Sequence, residues 1–184
     1  MNFLKSVAHA LFGDYALYRI YALELNKNFS SETPLLQFTP IESSVLLTES
    51  DSEAIRNLAD YYERELAFGF GARIENTLVA ACWFWAGSTY RKRNFWPLKE
   101  DEAKLVQITT HENYRGKGFA PLLLAYAAEA MQRKGYKTLY ARVWHSNQAS
   151  ISAFKKAHWK YIAFVAHVYP FGKKKPWRFC SRRS

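Results

Sequence analysis

The sequence has few residues of the kinds that build cross-linked or metal-bound folds. Its 184 residues include two cysteines, Cys82 and Cys180, and five histidines scattered along the chain. Two distant cysteines cannot form the disulfide framework of a small secreted domain, and no cysteine or histidine spacing matches a zinc site. We therefore expect no metal and a reducing, cytoplasmic compartment.

Long apolar runs are also missing. No stretch approaches the roughly 20 apolar residues that a membrane-spanning helix needs, and the short apolar run at residues 7–12 lacks the features of a secretory signal. The composition is nevertheless 49% hydrophobic and 17% aromatic, which is enough for a sizeable core. A single globular domain is the simplest interpretation.

Acidic residues are nearly absent from the second half of the chain. From Asn113 to the C-terminus there are 15 lysines and arginines but one acid, Glu129, and the whole chain has a net charge of +10. A basic half indicates an anionic partner. Charge alone leaves three partners open: a nucleic acid, a membrane surface or a phosphorylated cofactor.

Hydrophobic periodicity predicts a mixed α/β (α+β) fold. From residue 35 the predicted order is strand, helix, three strands, helix, strand, helix and two strands. Residues 2–12 have the apolar spacing of a helix, whereas residues 15–25 fit a strand and a helix equally well. The segment 35–47 reads as extended, with a bend at Pro40.

Local signals place the ends of several elements. Thr48 or Ser50 can cap the first helix of the main domain, with Glu53 completing a capping box after Ser50. A turn at residues 75–76 predicts a β-hairpin. The predicted organisation is an N-terminal helical or extended extension at 1–34, a main domain at 35–175 and a basic tail at 176–184.

The segment NYRGKGFA, from Asn113 to Ala120, lies between a predicted strand and a predicted helix. Backbone N–H groups at a helix start lack intrahelical partners, the helix dipole favours an anion, and glycine lets an anion approach the backbone. The spacing matches neither a P-loop nor the three-glycine dinucleotide fingerprint. On this segment alone, phosphate binding and a plain surface turn both remain open.

The segment is similar to the pyrophosphate signature of the GNAT superfamily of acyl-CoA-dependent N-acyltransferases. That signature is Gln/Arg-x-x-Gly-x-Gly/Ala, and Arg115, Gly118 and Ala120 match it. A second block of the family consists of a strand, an asparagine and, seven residues later, an aromatic residue on a helix. Asn147 and Phe154 match this block.

The resemblance covers roughly residues 35–170 and implies the GNAT fold for the main domain. It also implies acetyl-CoA, or another acyl-CoA, as co-substrate, and direct attack by a primary amine in a ternary complex. Backbone N–H groups of the glycine segment would hold the pyrophosphate, strand residues would pair with pantetheine as an added strand, and Asn147 would contact the pantetheine arm. The cofactor-binding residues so implied are Ile108, Thr109, Thr110, Arg115, Gly116, Lys117, Gly118, Phe119, Ala120 and Asn147.

Two positions depart from the family's pattern in the residues that handle protons. The strand position where relatives often carry a glutamate is Gln107, and the helix position where they often carry a tyrosine is Phe154. We name Gln107 and His145 as the catalytic residues, with His145 as the base, because it ends a predicted strand two residues before Asn147 and imidazole titrates near neutrality. The other candidates are His111, Glu112, Glu102 and Tyr90.

The acceptor is a small-molecule amine in this interpretation. Residues 82–96 interleave aromatic and cationic side chains, a composition found on nucleic-acid surfaces and in loops around a sugar. We favour an amino sugar or nucleotide-sugar acceptor over nucleic acid. Residues 2–12 and the basic tail leave a peripheral contact with the inner face of the membrane open. The alternative function is a coenzyme-A-binding regulatory domain without turnover.

Overall fold

The computed structural model describes residues 14–26, 35–61, 66–87, 96–169 and 176–182. The predicted helix at residues 2–12 lies outside them. The strands are β1 Asp14–Glu24, β2 Gln37–Ile41, β3 Ala67–Ile74, β4 Thr77–Ala86, β5 Glu102–Thr110, β6 Thr138–Trp144, β7 Lys160–Tyr169 and β8 Trp177–Arg182. The α-helices are α1 Ser43–Thr48, α2 Glu53–Arg56, α3 Phe119–Arg133 and α4 Gln148–Lys156, with 3₁₀ turns at Asn57–Tyr61 and Glu112–Tyr114.

The eight strands form one mixed sheet in the order β2-β3-β4-β5-β6-β1-β7-β8. The β5–β6 pair is parallel, and the other neighbouring pairs are antiparallel. The predicted α+β class is confirmed, and so is the predicted order of elements from residue 35, except that two short helices, α1 and α2, stand where one helix was expected. None of the helices within the described residues is long and apolar enough to cross a membrane.

Strand β4 is apolar and buried along nearly its whole length. Both faces of the sheet are therefore covered at this strand. Side chains of α3 and α4, such as Leu123 and Phe154, form the main core with one face of the sheet. A smaller cluster joins α1 and α2 to the other face, where Leu46 and Ile55 contact Trp83. The sheet therefore has a face covered by α3 and α4 and a face that α1 and α2 cover only over its first strands.

The start of the main domain differs from the prediction. Residues 43–48 form helix α1 rather than an extended segment, and Pro40 lies within β2. A proline is tolerated there because β2 is an edge strand. The helix cap is also different: Ser52, not Thr48 or Ser50, accepts a hydrogen bond from the N–H of Ile55 at 3.4 Å.

Strand β1 resolves the ambiguous segment at 15–25. It inserts between β6 and β7 although it belongs to the segment predicted to precede the domain, and β8 belongs to the predicted tail. The boundaries predicted at 35 and 175 therefore do not coincide with the limits of the sheet. The pairing of β1 with strands more than 110 residues later leaves no local signal in the sequence.

Strands β5 and β6 separate midway along their length. Their parallel pairing ends at Leu105 and Ala141. On the other side of β5, Trp83 is opposite Gln107 and the next residue of β4 is opposite Leu105, which leaves Val106 as a bulge. A bulge bends and twists its strand, so the carboxyl half of β5 leads away from β6 and opens a gap in the sheet.

Candidate active site

The turn between β5 and α3 forms a cradle of backbone N–H groups over residues 115–120. Gly116 and Gly118 have φ angles of 80° and 82°, a left-handed conformation that glycine adopts without strain. No described residue accepts a hydrogen bond from the N–H groups of Gly116, Lys117 or Gly118. Space is open before the cradle, since a Cβ added at either glycine would meet no atom within 4 Å.

Two cations flank the cradle. Arg115 is held by its Nε, which donates to the carbonyl oxygen of Thr110 at 3.2 Å, and its Nη2 lies 3.6 Å from a carboxylate oxygen of Glu112. Lys117 places its Nζ 4.8 Å from the centre of the Tyr114 ring. The unpartnered N–H groups, the dipole of α3 and these charges together make a site suited to phosphate.

A groove leads from the cradle into the sheet. A cavity of about 560 Å³ lies in front of the cradle, between the end of β5 and the start of α4. A second cavity of about 240 Å³ occupies the separation of β5 and β6 and is called the β5–β6 gap below. Both cavities are lined by Ile108, Asn147, Ser150 and Phe154. Because they share these walls, the two cavities are adjacent.

Asn147 stands at the junction of the two cavities. It caps α4 by accepting a hydrogen bond from the N–H of Ser150 at 3.0 Å. The cap occupies the side-chain oxygen, so the amide nitrogen is the group that remains to contact a ligand.

Gln107 lines the β5–β6 gap, whereas His145 does not. His145 lies just beyond β6, where its backbone N–H donates to the carbonyl oxygen of Leu17 at 3.1 Å. Its ring Nδ1 is buried and has no hydrogen-bond partner among the described residues. His145 lines neither cavity, so the structure brings one of the two predicted catalytic residues to the gap.

Phe154 contributes shape to the site and no proton. It is buried, with ring centres 5.4 Å from Tyr21 and 5.0 Å from Trp159. It also lines both cavities, and this combination makes it the apolar wall at the base of the groove.

The other acid–base candidates serve local structure. His111 is buried, with Nε2 2.7 Å from a carboxylate oxygen of Asp51 and Nδ1 accepting from the N–H of Asn113 at 3.2 Å. The hydrogen bond from His111 holds the pKa of Asp51 below its ordinary value. Glu102 accepts from the hydroxyl of Tyr140 at 3.2 Å, away from the gap. Tyr90 lies outside the described residues.

Sequence reasoning missed two cations near the gap, Arg142 and Lys104. Arg142 lines the gap on the face opposite α3 and α4. Lys104 is fully buried, and burial together with the charge of Arg142 lowers its pKa to about 8. The alternation of strand β6 could have indicated the position of Arg142, because Tyr140, Arg142 and Trp144 must share a face.

Neither cysteine lies in the groove. Cys82 is buried in the main core, and burial raises the pKa of its thiol far above the ordinary range, so it stays protonated. Cys180 is exposed on β8. Within the described residues there is no cluster of three or more histidine, cysteine or acidic side chains that could hold a metal ion.

Known structures with this architecture are acetyltransferases and related proteins. A Drosophila protein has a TM-score of 0.57 and 12% identity, over 92% of this chain and 56% of its own. An aminoglycoside acetyltransferase from an uncultured soil metagenomic sample has a TM-score of 0.50 and 13% identity, over 67% of this chain and 87% of its own. The ribosomal-protein-S18-alanine N-acetyltransferase of Escherichia coli has a TM-score of 0.50 and 19% identity, over 65% and 74%.

Because all three sequence identities are low, these likenesses establish the fold alone. The chain spans little more than half of the length of the Drosophila protein. No curated protein sequence matches the chain significantly. The family model described as the acetyltransferase (GNAT) family matches residues 18–159, which is most of the chain. The chain therefore belongs to the GNAT family of acetyltransferases, and the fold expected from the resemblance is confirmed.

Proposed function

We propose that the chain transfers an acetyl group from acetyl-CoA to a primary amine by direct attack in a ternary complex. The observation that carries this proposal is the pair of adjacent cavities, one in front of the N–H cradle and one in the β5–β6 gap. A diphosphate needs several converging donors and open space, and the cradle offers both. The gap then leads from the phosphates to the middle of the sheet.

The carboxyl half of β5 supports the expected binding of pantetheine. Residues 108–110 pair with β4 on one side, while the recorded pairing with β6 ends at Leu105. The backbone edge that faces the gap is therefore available for an extended ligand that adds like a strand. We propose that a backbone N–H of this edge also stabilises the oxyanion that develops during acyl transfer.

The amine must be neutral to attack, and the gap offers an unusual means of achieving this. Among the described residues, no carboxylate, histidine, cysteine or tyrosine lines the gap, but Arg142 does. A nearby positive charge lowers the pKa of an amine, as Arg142 contributes to doing for Lys104, whose pKa falls to about 8. We propose that this field, rather than a carboxylate base, keeps the acceptor amine neutral.

Acetyl-CoA supplies an activated acetyl thioester, and the chain supplies position and electrostatics. Gln107 can accept a hydrogen bond from the amine and so orient it in the gap. The role of His145 as a base stays a prediction from the sequence, since its ring lies outside both cavities.

For the acceptor we propose an amino sugar or a nucleotide-linked amino sugar. Aromatic side chains next to the gap support this class, because sugars pack against flat apolar rings: Trp144 lines the gap and is half exposed, and Trp96 lies 5.7 Å from Tyr140. We also propose a cytoplasmic location, where acetyl-CoA is made and free thiols such as Cys82 and Cys180 persist.

The test is calorimetric titration with acetyl-CoA, combined with thiol release over a panel of amino sugars, polyamines and peptides. We expect binding, with thiol release for at least one amino sugar. Binding without release for every amine would favour the second candidate, a coenzyme-A-binding domain without turnover, which the lack of an acid–base side chain along the gap also favours. Absence of binding would reject both functions.

A further inference from the structure

The face of β6, β1, β7 and β8 that lies opposite α3 and α4 is called the open face here. Directly paired residues of antiparallel strands share a face. One row of the open face therefore runs from Arg142 through Ile20 and Ala163 to Arg182. A neighbouring row carries His167 and Arg178 as a directly opposed pair. Three arginines from two strands thus project from the same side of the sheet.

Arg142 and His167 both lie beside Tyr18. The guanidinium carbon of Arg142 lies 4.4 Å from the centre of the Tyr18 ring, and the ring centre of His167 lies 5.9 Å from it. Arg178 is opposite His167 on the next strand. Nε2 of His167 is buried without a hydrogen-bond partner among the described residues. A polar group without a partner in such surroundings indicates a position for a ligand.

Negative charge is sparse among the described side chains of the open face, and Asp14 begins β1 opposite Tyr169. Among the described side chains of the four strands there is one carboxylate, Glu24, and Glu102 of β5 adds a second. Both residues pair with Thr138, four residues before Arg142 and about 13 Å from it along the strand. The segment 170–175, which joins β7 to β8 in sequence, carries three further lysines and no acid.

Two titrating groups respond to this crowding of positive charge. Burial and the charges of Arg178 and Arg142 hold the pKa of His167 below its ordinary value. The pKa of Lys104 is lowered by burial and by Arg142. In both cases burial is the larger cause and nearby cations add to it, so a bound anion would offset the cationic contribution.

We propose that the open face around Tyr18 binds an anionic group of the acceptor, so that the substrate is an amine that carries a phosphate or a carboxylate. This inference rests on the proposed function and specifies its acceptor. Arg142 lies between the proposed positions of the amine and the anion, since it lines the β5–β6 gap and also lies over Tyr18. The anion binds beside Arg142, Arg178 and His167, and the amine then reaches into the gap.

The experiment uses four probes with the same amine and different charges: glucosamine, glucosamine 6-phosphate, UDP-glucosamine and muramic acid. Their dissociation constants are measured by calorimetry with coenzyme A at saturation, so that phosphate cannot bind in the cradle. We expect at least one anionic probe to bind about tenfold or more tightly than glucosamine, with the preference falling at high salt. The phosphate and carboxylate probes distinguish the two anions.

Arg142→Gln and Arg178→Gln should each reduce the preference for the anionic probe by about tenfold. The matched control is Arg133→Gln, which removes the same charge from an exposed residue of α3 that pairs with Glu129 on the opposite side of the sheet. This variant should keep the preference of the wild type. Acetyl-CoA affinity, measured for all variants, reports whether each one is folded.

The proposal is overturned if no anionic probe binds more tightly than glucosamine, or if Arg133→Gln reduces the preference as much as the open-face variants do. The proposed function is judged separately, by acetyl-CoA binding and thiol release in the wild type. A wild type that binds acetyl-CoA but does not discriminate among the probes would refute the anionic acceptor alone. A wild type that does not bind acetyl-CoA would refute the function.

Discussion

Replacing Gly118 by alanine should weaken acetyl-CoA binding by much more than it weakens the fold. Gly118 is the cap residue of α3, has a φ of 82° and lines the cavity in front of the cradle. Gly135, beyond the other end of α3, offers a matched control. It has a φ of 91°, and a Cβ there would also meet no atom within 4 Å. The two variants impose the same backbone strain, but only one of them lies at the cradle.

The magnitudes follow from the geometry. A left-handed conformation costs an ordinary residue roughly 1–2 kcal/mol, which for a chain of this size lowers Tm by about 2–4 °C per kcal/mol. At Gly118 the methyl group also enters the space meant for phosphate, and a displaced charge-assisted hydrogen bond costs about 1.5–3 kcal/mol. Gly118→Ala should therefore raise the Kd for acetyl-CoA about 10- to 100-fold, while Gly135→Ala leaves it unchanged.

The assay is thermal unfolding with and without acetyl-CoA, supported by calorimetric titration. A ligand at 100 times its Kd stabilises the folded state by about 2.7 kcal/mol. The wild type and Gly135→Ala should show this shift in full, and Gly118→Ala should lose most of it. Equal Kd values for the two variants would refute the cradle as the phosphate site. A fall in Tm for Gly118→Ala alone would refute the strain argument.

Three further predictions concern the rest of the molecule. Between about pH 8 and pH 10.5, the free energy of unfolding of Lys104→Met should fall behind that of the wild type by up to about 3 kcal/mol. The unfolded chain binds the Lys104 proton more tightly than the folded chain, so wild-type stability rises over that range. If unfolding free energies measured in urea changed with pH equally in both proteins, the prediction would be wrong. His111→Ala should cost roughly 1–3 kcal/mol in urea unfolding, because a buried ring that bonds to the N–H of Asn113 is removed. Asp51→Ala, at an exposed position, should cost less stability than His111→Ala. A larger loss for Asp51→Ala would contradict the conclusion that the buried His111 ring is the main stabilising group of this contact. In pH–rate profiles, Arg142→Gln should move the ascending limb of kcat/KM to higher pH, whereas the alternative with His145 as base requires His145→Ala to abolish that limb.

The cradle could be predicted from the sequence because its determinants are local. Two glycines between a strand and a helix already specify left-handed turns and free N–H groups, and Asn147 caps α4 within four residues of chain. The hairpin of β3 and β4 is equally local, with its turn at Glu75, which has a φ of 51°. Each of these features depends on neighbours in the sequence, so periodicity and turn chemistry identify it.

The acceptor side could not be predicted, since long-range pairing creates it. The sequence shows that Arg142 alternates with Tyr140 and Trp144, but not that β1 would lie beside β6 and place Tyr18 under the guanidinium. Helix α1 was missed for a related reason. Its six residues carry no strong helix signal, and burial of Leu46 against the sheet stabilises them. Packing overrides a weak local propensity in such a segment.

The position of β1 has a consequence for the order in which the molecule is assembled. Strand β1 is made well before its partners, residues 138–144 and 160–169, which lie more than 110 residues further along the chain. Contacts of such large sequence separation form slowly, and during synthesis an early strand with two unpaired edges must wait for them. The cradle and its helix can form while β1 is still waiting. The surface around Tyr18 exists only after β1 has inserted, so the growing chain gains its phosphate turn first and its acceptor face last.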